Sequence, residues 1–146
     1  MTGQIVGLIV LLLLAFLFSM LEYGYMSVTP MALERTSNFP SLSARLRARM
    51  AENRSMLLAA VVLGNDMANL GASFVFARVV LAAFAQVNPD LLTLISTIAL
   101  TIIVVIFAET IPKSIGKAFP DQVTLSTAVL LYPIYVVLYP AARALA

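Results

Sequence analysis

An apolar segment runs from about Met56 to Ala85, far longer than the core helix of a soluble domain requires. Its middle is interrupted by Gly64-Asn65-Asp66-Met67-Ala68-Asn69-Leu70-Gly71-Ala72-Ser73. A segment of that length is enough to cross a bilayer as a helix. Residues four apart on a helix lie on one face, so Asn65, Asn69 and Ser73 form a polar stripe, with Gly64, Ala68 and Ala72 as a small-residue stripe beside it. Small residues let a second helix approach closely, and amides can bond across helices. Two amides and a carboxylate near the bilayer midplane are costly unless they pair or hold something. From this segment alone, interhelical glue and a ligand site are both open readings.

The chain of 146 residues is 62% hydrophobic and 11% charged, which excludes an ordinary soluble domain and defines an all-α integral membrane protein. Cysteine and histidine are absent. That removes disulfides, thiolate nucleophiles, histidine bases and the usual ligands of zinc, copper and haem, so any metal must be held by oxygen. No nucleophile stands beside a base, and the chain is not expected to be an enzyme. A formal charge of +2 scattered among apolar runs does not suit nucleic acid; the basic residues are better read as setting topology and touching lipid headgroups.

One domain, 1–146, is expected to contain three transmembrane helices at about 3–29, 55–85 and 91–118. The first carries Ser19, Glu22, Tyr23, Tyr25 and Ser27 before Pro30 stops it; it lacks the basic flank and the cleavage site of a signal peptide. Segment 41–54 reads as a short amphipathic interfacial helix capped by Ser41. Leu42, Leu46 and Met50 would face lipid, and Arg45, Arg47, Arg49 and Arg54 phosphate and water. Five of the nine basic residues fall in the region 29–54, which places it in the cytoplasm and the N-terminus outside. Gln86-Val87-Asn88-Pro89-Asp90 is an outer turn, with Pro89 ending one helix and Asp90 capping the next; Lys113 and Lys117 return the third span to the cytoplasm. Pro133 divides the remaining apolar run into pieces too short to cross, and Tyr132, Tyr135 and Tyr139 favour the interface. Segment 121–146 is therefore expected to be a cytoplasmic juxtamembrane belt helix, although its length alone permits a fourth span. The run ends at Ala146 without a polar tail and reads as a piece whose soluble portion is left off.

Three spans thus bring oxygens to similar depth: Ser19 and Glu22, then Asn65, Asp66 and Asn69, then Glu109. Hard cations such as magnesium and calcium take carboxylate, amide and hydroxyl oxygens. Pro112 cannot donate to the carbonyl four residues earlier, so the backbone carbonyl of Ala108 is left free beside Glu109 as a further ligand; an ordinary kink or helix end at Pro112 is the plainer alternative. Glu22 and Glu109 could equally neutralise a cation at the inner interface, since Lys113 lies one turn from Glu109.

Ser19-Met20-Leu21-Glu22, Gly64-Asn65-Asp66-Met67-Ala68-Asn69 and Glu109-Thr110-Ile111-Pro112-Lys113 together resemble the three motifs of the transmembrane domain of the CNNM (cyclin M) and CorC magnesium transporters. The resemblance covers essentially the whole chain. It implies three spans with a juxtamembrane belt, a homodimer, and a largely dehydrated Mg2+ held by Ser19, Asn65, Asn69 and Glu109, with export coupled to Na+. It also implies cytosolic CBS-type modules that bind ATP, to which nothing in this chain corresponds. The chain departs from the family at Met20-Leu21, at Tyr23-Gly24, at Ala108 where Gly is usual, and at Asp66 where a second Asn is usual; Asp66 and Glu22 are candidates for a second, coupling cation. Magnesium transport is the expected function. A non-transporting membrane anchor or a divalent-cation sensor is the alternative.

Overall fold

The computed structural model describes residues 2–145. Met1 and Ala146, the last residue of the expected belt, lie outside the described residues. Seven α-helices and one π-helical segment make up the described chain, with no strand among the described residues: α1 (Thr2–Ser27), α2 (Pro30–Ser37), α3 (Leu42–Ala51), α4 (Arg54–Ala83), α5 (Pro89–Ile103), the π segment (Val104–Thr110), α6 (Ile111–Ala118) and α7 (Pro120–Leu145). α5, the π segment and α6 follow one another without a break. Thr2–Ser27, Arg54–Ala83, Pro89–Ala118 and Pro120–Ala144 are each long and apolar enough to cross a membrane. The molecule is a multi-pass membrane protein.

α1 is the central post, in contact with α4, α6, α7 and the π segment. The main core lies where its second half meets α3, α4 and α7, around Phe18, Leu21, Tyr25, Met50, Leu57, Val61 and Leu131. Glycines set the closest approaches. A Cβ on Gly116 would overlap the carbonyl oxygen of Met20 and come within 3.0 Å of the Gly24 nitrogen, so α6 lies backbone to backbone against α1. A Cβ on Gly64 would stand 2.7 Å from the Phe18 ring, which presses α4 onto α1.

The short helices begin as their caps dictate. Thr29 accepts from the Ala32 nitrogen and Ser41 from the Ala44 nitrogen, each at 3.3 Å. The arginines behind them correct the reading of 41–54 as a helix with all its arginines in phosphate and water. Arg47 is fully buried and ties three helices together: it donates to the Ala32 carbonyl (3.0 Å) and Thr36 Oγ1 of α2, and to Thr124 Oγ1 (3.0 Å) and Asp121 (3.3 Å) of α7. Arg54 donates to the carbonyls of Tyr25, Met26 (2.8 Å) and Val28 (3.3 Å), capping the C-terminal end of α1 where a cation is favoured. Both guanidiniums have more buried carbonyl and hydroxyl acceptors in reach than a headgroup could offer, and five donors in a planar fork suit that task.

Two further expectations are corrected. Pro89 opens α5 rather than ending α4, and the cap is Asn88, whose Oδ1 accepts from the Asp90 nitrogen at 3.0 Å. Proline fits the first turn because the N–H it lacks would be unpaired there anyway. Pro133 does not divide the last run: α7 is continuous through Pro133 and Pro140. Neighbouring helices hold a proline-containing helix together in an apolar setting, and here they are close. Val123 and Thr124 pack on Gly24, while Pro133, Ile134, Val137 and Leu138 share an apolar cavity of about 460 Å³ with Leu11, Leu14, Gly64 and Ala68. α7 therefore runs antiparallel along α1 instead of lying in two pieces beneath it.

Candidate cation site

Three alanines mark the place where α1, α4 and the π segment converge. Ala15, Ala68 and Ala108 form a small buried cluster of their own, with Leu14 and Val104 against it. Four of the polar residues expected at a site stand near this junction in sequence. Ser19 is one helical turn beyond Ala15, Asn65 and Asn69 flank Ala68, and Glu109 follows Ala108. The small-residue stripe thus brings the backbones together, and the polar stripe beside it supplies the oxygens.

Ser19 is fully buried and Asn65 is 7% exposed; Asn69 is half-buried and donates from Nδ2 to Asn65 Oδ1 at 3.4 Å. Two oxygens at this place are buried with no hydrogen-bond partner: Ser19 Oγ and Asn69 Oδ1. Buried polar atoms in folded proteins are almost always paired, so each orphan calls for an explanation. Both carry lone pairs free for a cation.

Glu109 is half-buried, with Oε2 3.8 Å from Lys113 Nζ one turn on. Lys113 and Lys117 also lie over the Tyr23 ring, 5.2 and 4.8 Å from its centroid. Glu22, half-buried on α1, is within electrostatic reach of Lys113, Asp66 and Glu109. Asp66 is exposed on α4, one residue after the buried Asn65 and three before the half-buried Asn69. No three carboxylates among the described residues gather closely enough to hold a metal by themselves. The structure brings Ala15, Ala68 and Ala108 into contact and joins Asn69 to Asn65, while Glu22 lies within electrostatic reach of Asp66 and Glu109.

Pro112 lies in the first turn of α6 and is buried, but its consequence is larger than one free carbonyl. The backbone just before it has widened into the π register: the Ile111 N–H donates to the Ile106 carbonyl, and Thr110 Oγ1 reaches the Val105 carbonyl at 2.7 Å, both five residues back. Lacking an N–H, Pro112 serves neither the Phe107 carbonyl in that register nor the Ala108 carbonyl in the α register. The wide turn also turns side chains. Ser96, Leu100, Ala108, Pro112 and Gly116 are all buried at multiples of four residues, a spacing that drifts about 40° per step on an ideal α-helix. A wider turn winds the stripe back, so Ala108 and Gly116 both face α1. Sequence reasoning found Pro112 but missed the π segment and Gly116; the small residues Ala108 and Gly116 four residues either side of Pro112 were the available signal.

A family model described as the cyclin M transmembrane N-terminal domain matches residues 6–146. The chain belongs to the CNNM family. This CNNM domain is 27% identical over 123 residues to the UPF0053 inner membrane protein YfjD of Escherichia coli, covering 84% of this chain and 28% of that protein. It is 24% identical over 133 residues to a UPF0053 protein of Haemophilus influenzae, covering 91% of this chain and 31% of that one. The chain spans less than a third of the length of these two relatives.

Proposed function

We propose that this CNNM domain moves magnesium across the membrane, with a largely dehydrated Mg2+ bound among Ser19, Asn65, Asn69 and Glu109 and the Ala108 carbonyl. The observation that carries the reading is the pair of orphaned buried oxygens, Ser19 Oγ and Asn69 Oδ1, on separate helices at one junction. Magnesium prefers six short oxygen contacts and gives up water reluctantly. Four side chains and one carbonyl leave room for a retained water, and the single formal charge of Glu109 gives the weak binding that a carrier needs in order to release its ion. Glu22 and Asp66 sit where a second cation, Na+, could be held when magnesium leaves, which suits sodium-coupled export.

In this reading the arginine-rich end, α2 and α3, is cytoplasmic and the N-terminus outside, in keeping with the Lys and Arg asymmetry. The working unit is a homodimer. Cytosolic CBS-type modules that bind ATP would occupy part of the greater length that the relatives have and this chain lacks.

The contact between Lys113 and Glu109 favours the second reading, an anchor whose acids are already neutralised. A half-exposed pair at 3.8 Å contributes only about 0–1 kcal/mol, so a divalent cation can displace the lysine. Magnesium flux into proteoliposomes, with and without a sodium gradient, tests the proposal. Flux that follows the gradient supports sodium-coupled transport, whereas magnesium-dependent stabilisation without flux would make the domain a sensor. Neither flux nor stabilisation would leave the anchor.

A further inference from the structure

The cleft between α4 and the limb formed by α5 and the π segment holds oxygens that the proposed magnesium site does not use. A groove of about 260 Å³ lies there, lined by the exposed Ser73 of α4, the buried Ser96, the exposed Thr97 and Thr101 and the half-buried Glu109, with apolar side chains between them. Glu109 stands at one end. Ser96 is thirteen residues back along the helix, about 20 Å at the usual rise per residue, in the direction of the turn at 84–88. The cavity therefore begins at the magnesium site and leads away from the arginine-rich end.

Every hydroxyl on its wall has given its proton to its own helix. Ser73 Oγ donates to the Asn69 carbonyl (2.9 Å), Ser96 Oγ to Thr93 (3.0 Å), Thr97 Oγ1 to Thr93 (2.8 Å) and Thr101 Oγ1 to Thr97 (2.8 Å). A hydroxyl has one proton and two lone pairs, so these groups can offer the cavity only acceptors, and the Glu109 carboxylate adds more of the same. Bonding back to the helix is the ordinary habit of Ser and Thr. Their gathering round one cavity with a carboxylate at its end is not explained by that habit. The cation on this part of α4 is turned elsewhere: Arg78 stacks on the Phe74 ring, 5.9 Å from its centroid.

A wall of acceptors excludes anions and suits protons pointing outward. The water shell of a metal cation presents such protons, because the ion holds the oxygens inward. Water occupies about 30 Å³ per molecule, so a groove of about 260 Å³ has the volume of several waters. A bare magnesium ion would need short octahedral contacts, which hydroxyls strung along two helices do not supply. We propose that this cavity is a vestibule in which the cation carries its water shell between Glu109 and the membrane face bearing the 84–88 turn, with Ser73, Ser96, Thr97 and Thr101 accepting hydrogen bonds from that shell. The proposal rests on the transport reading above.

The chain has no cysteine, so single substitutions report cleanly. Ser96→Cys and Thr101→Cys should react with a membrane-impermeant methanethiosulfonate added on the side of the turn. Ile98→Cys and Ile102→Cys, on the exposed apolar face, should react only with membrane-permeant N-ethylmaleimide. In proteoliposomes, replacing Thr97 and Thr101 together by Val, which keeps their bulk and removes two acceptors, should slow magnesium flux by about tenfold or more, the scale of a lost hydrogen bond. The magnesium-induced rise in Tm should stay that of the unaltered chain. Reaction of Thr101→Cys with the permeant reagent alone would make the cavity a lipid-filled groove and overturn the proposal, as would undiminished flux in the Val variant. Absence of flux in the unaltered chain would fell the transport reading instead, and the labelling pattern would still decide whether water enters the cavity.

Discussion

Ser19 Oγ and Asn69 Oδ1 are acceptors taken out of water without a replacement partner, a loss of about 1–3 kcal/mol for each such group. A bound cation recovers that loss, and it does so only in the folded protein, so magnesium should raise Tm through native-state affinity. Asn69→Ala and Glu109→Ala should each weaken that rise; a tenfold loss of affinity removes about 1.4 kcal/mol of the stabilisation. Equal magnesium-induced shifts in both variants and the unaltered chain, read by thermal denaturation in detergent, would exclude these residues as ligands. Asp66 differs from its neighbours Asn65 and Asn69 in being exposed. Asp66→Asn should spare the magnesium-induced shift while changing how flux responds to a sodium gradient; loss of the shift would make Asp66 a direct ligand. The four-residue spacing on α4 was legible in the sequence, and in the structure Asn69 does bond to Asn65 one turn away. The Lys113 contact to Glu109 was legible too, as an i, i+4 pair. Which oxygens would be left without partners was not, because that depends on what the neighbouring helices fail to donate.

At the scale of elements the sequence spoke clearly about apolar length and poorly about what arginine and proline would do. Arg47 sits among charged and small residues whose pattern suits an interfacial helix; its burial is set by the preceding helix α2 together with α7, which lies 77 residues away at Thr124. Asp121, its partner at 3.3 Å, has a side chain 57% exposed, and an exposed pair contributes about 0–1 kcal/mol. Removing the arginine is another matter, since the Ala32 carbonyl and the hydroxyls of Thr36 and Thr124 lose their donor together. Arg47→Ala should therefore destabilise by about 3–5 kcal/mol, the range for breaking a buried charged network, and Asp121→Asn by less than about 1 kcal/mol. Comparable losses in the two variants, measured by thermal or denaturant unfolding, would mean that the ion pair and not the hydrogen-bond network joins α3 to α7. Gly116 offers a sharper case, because the atoms a Cβ would meet are backbone and cannot swing aside. Gly116→Ala should lower stability by about 1–3 kcal/mol or more and, by pushing α6 off α1, should also weaken magnesium stabilisation through Glu109. A variant with unchanged Tm would show that the crossing of α1 and α6 is looser than the structure has it.

At the scale of the whole molecule the open matter is which side of the membrane each end of α7 occupies. The all-helical architecture and the apolar helices were legible from length and composition alone, but the course of α7 was not, because a proline in a sequence does not reveal whether neighbours will hold the helix together around it. α7 starts at the arginine-rich end, where Arg47 holds Asp121 and Thr124. By Pro133–Leu138 it has reached the level of Leu11, Gly64 and Ala68, near the middle of α1 and α4. From Leu138 the described helix has only seven residues left, about 10 Å, against about 15 Å for half of a hydrocarbon core. On that course Arg143 stays within the core unless the helix completes its crossing beyond the described residues, and an arginine facing lipid there is costly. Single cysteines at positions 45, 88 and 143 in the otherwise cysteine-free chain should settle the matter. An impermeant reagent applied outside intact cells should mark position 88 and not 45, on inverted membranes position 45 should react, and position 143 should react from neither side if α7 stops within the core. Labelling of 143 from outside would make α7 a fourth span and place both ends of the chain on one side. Labelling of 45 from outside would invert the whole arrangement and, with it, the direction in which the proposed vestibule opens.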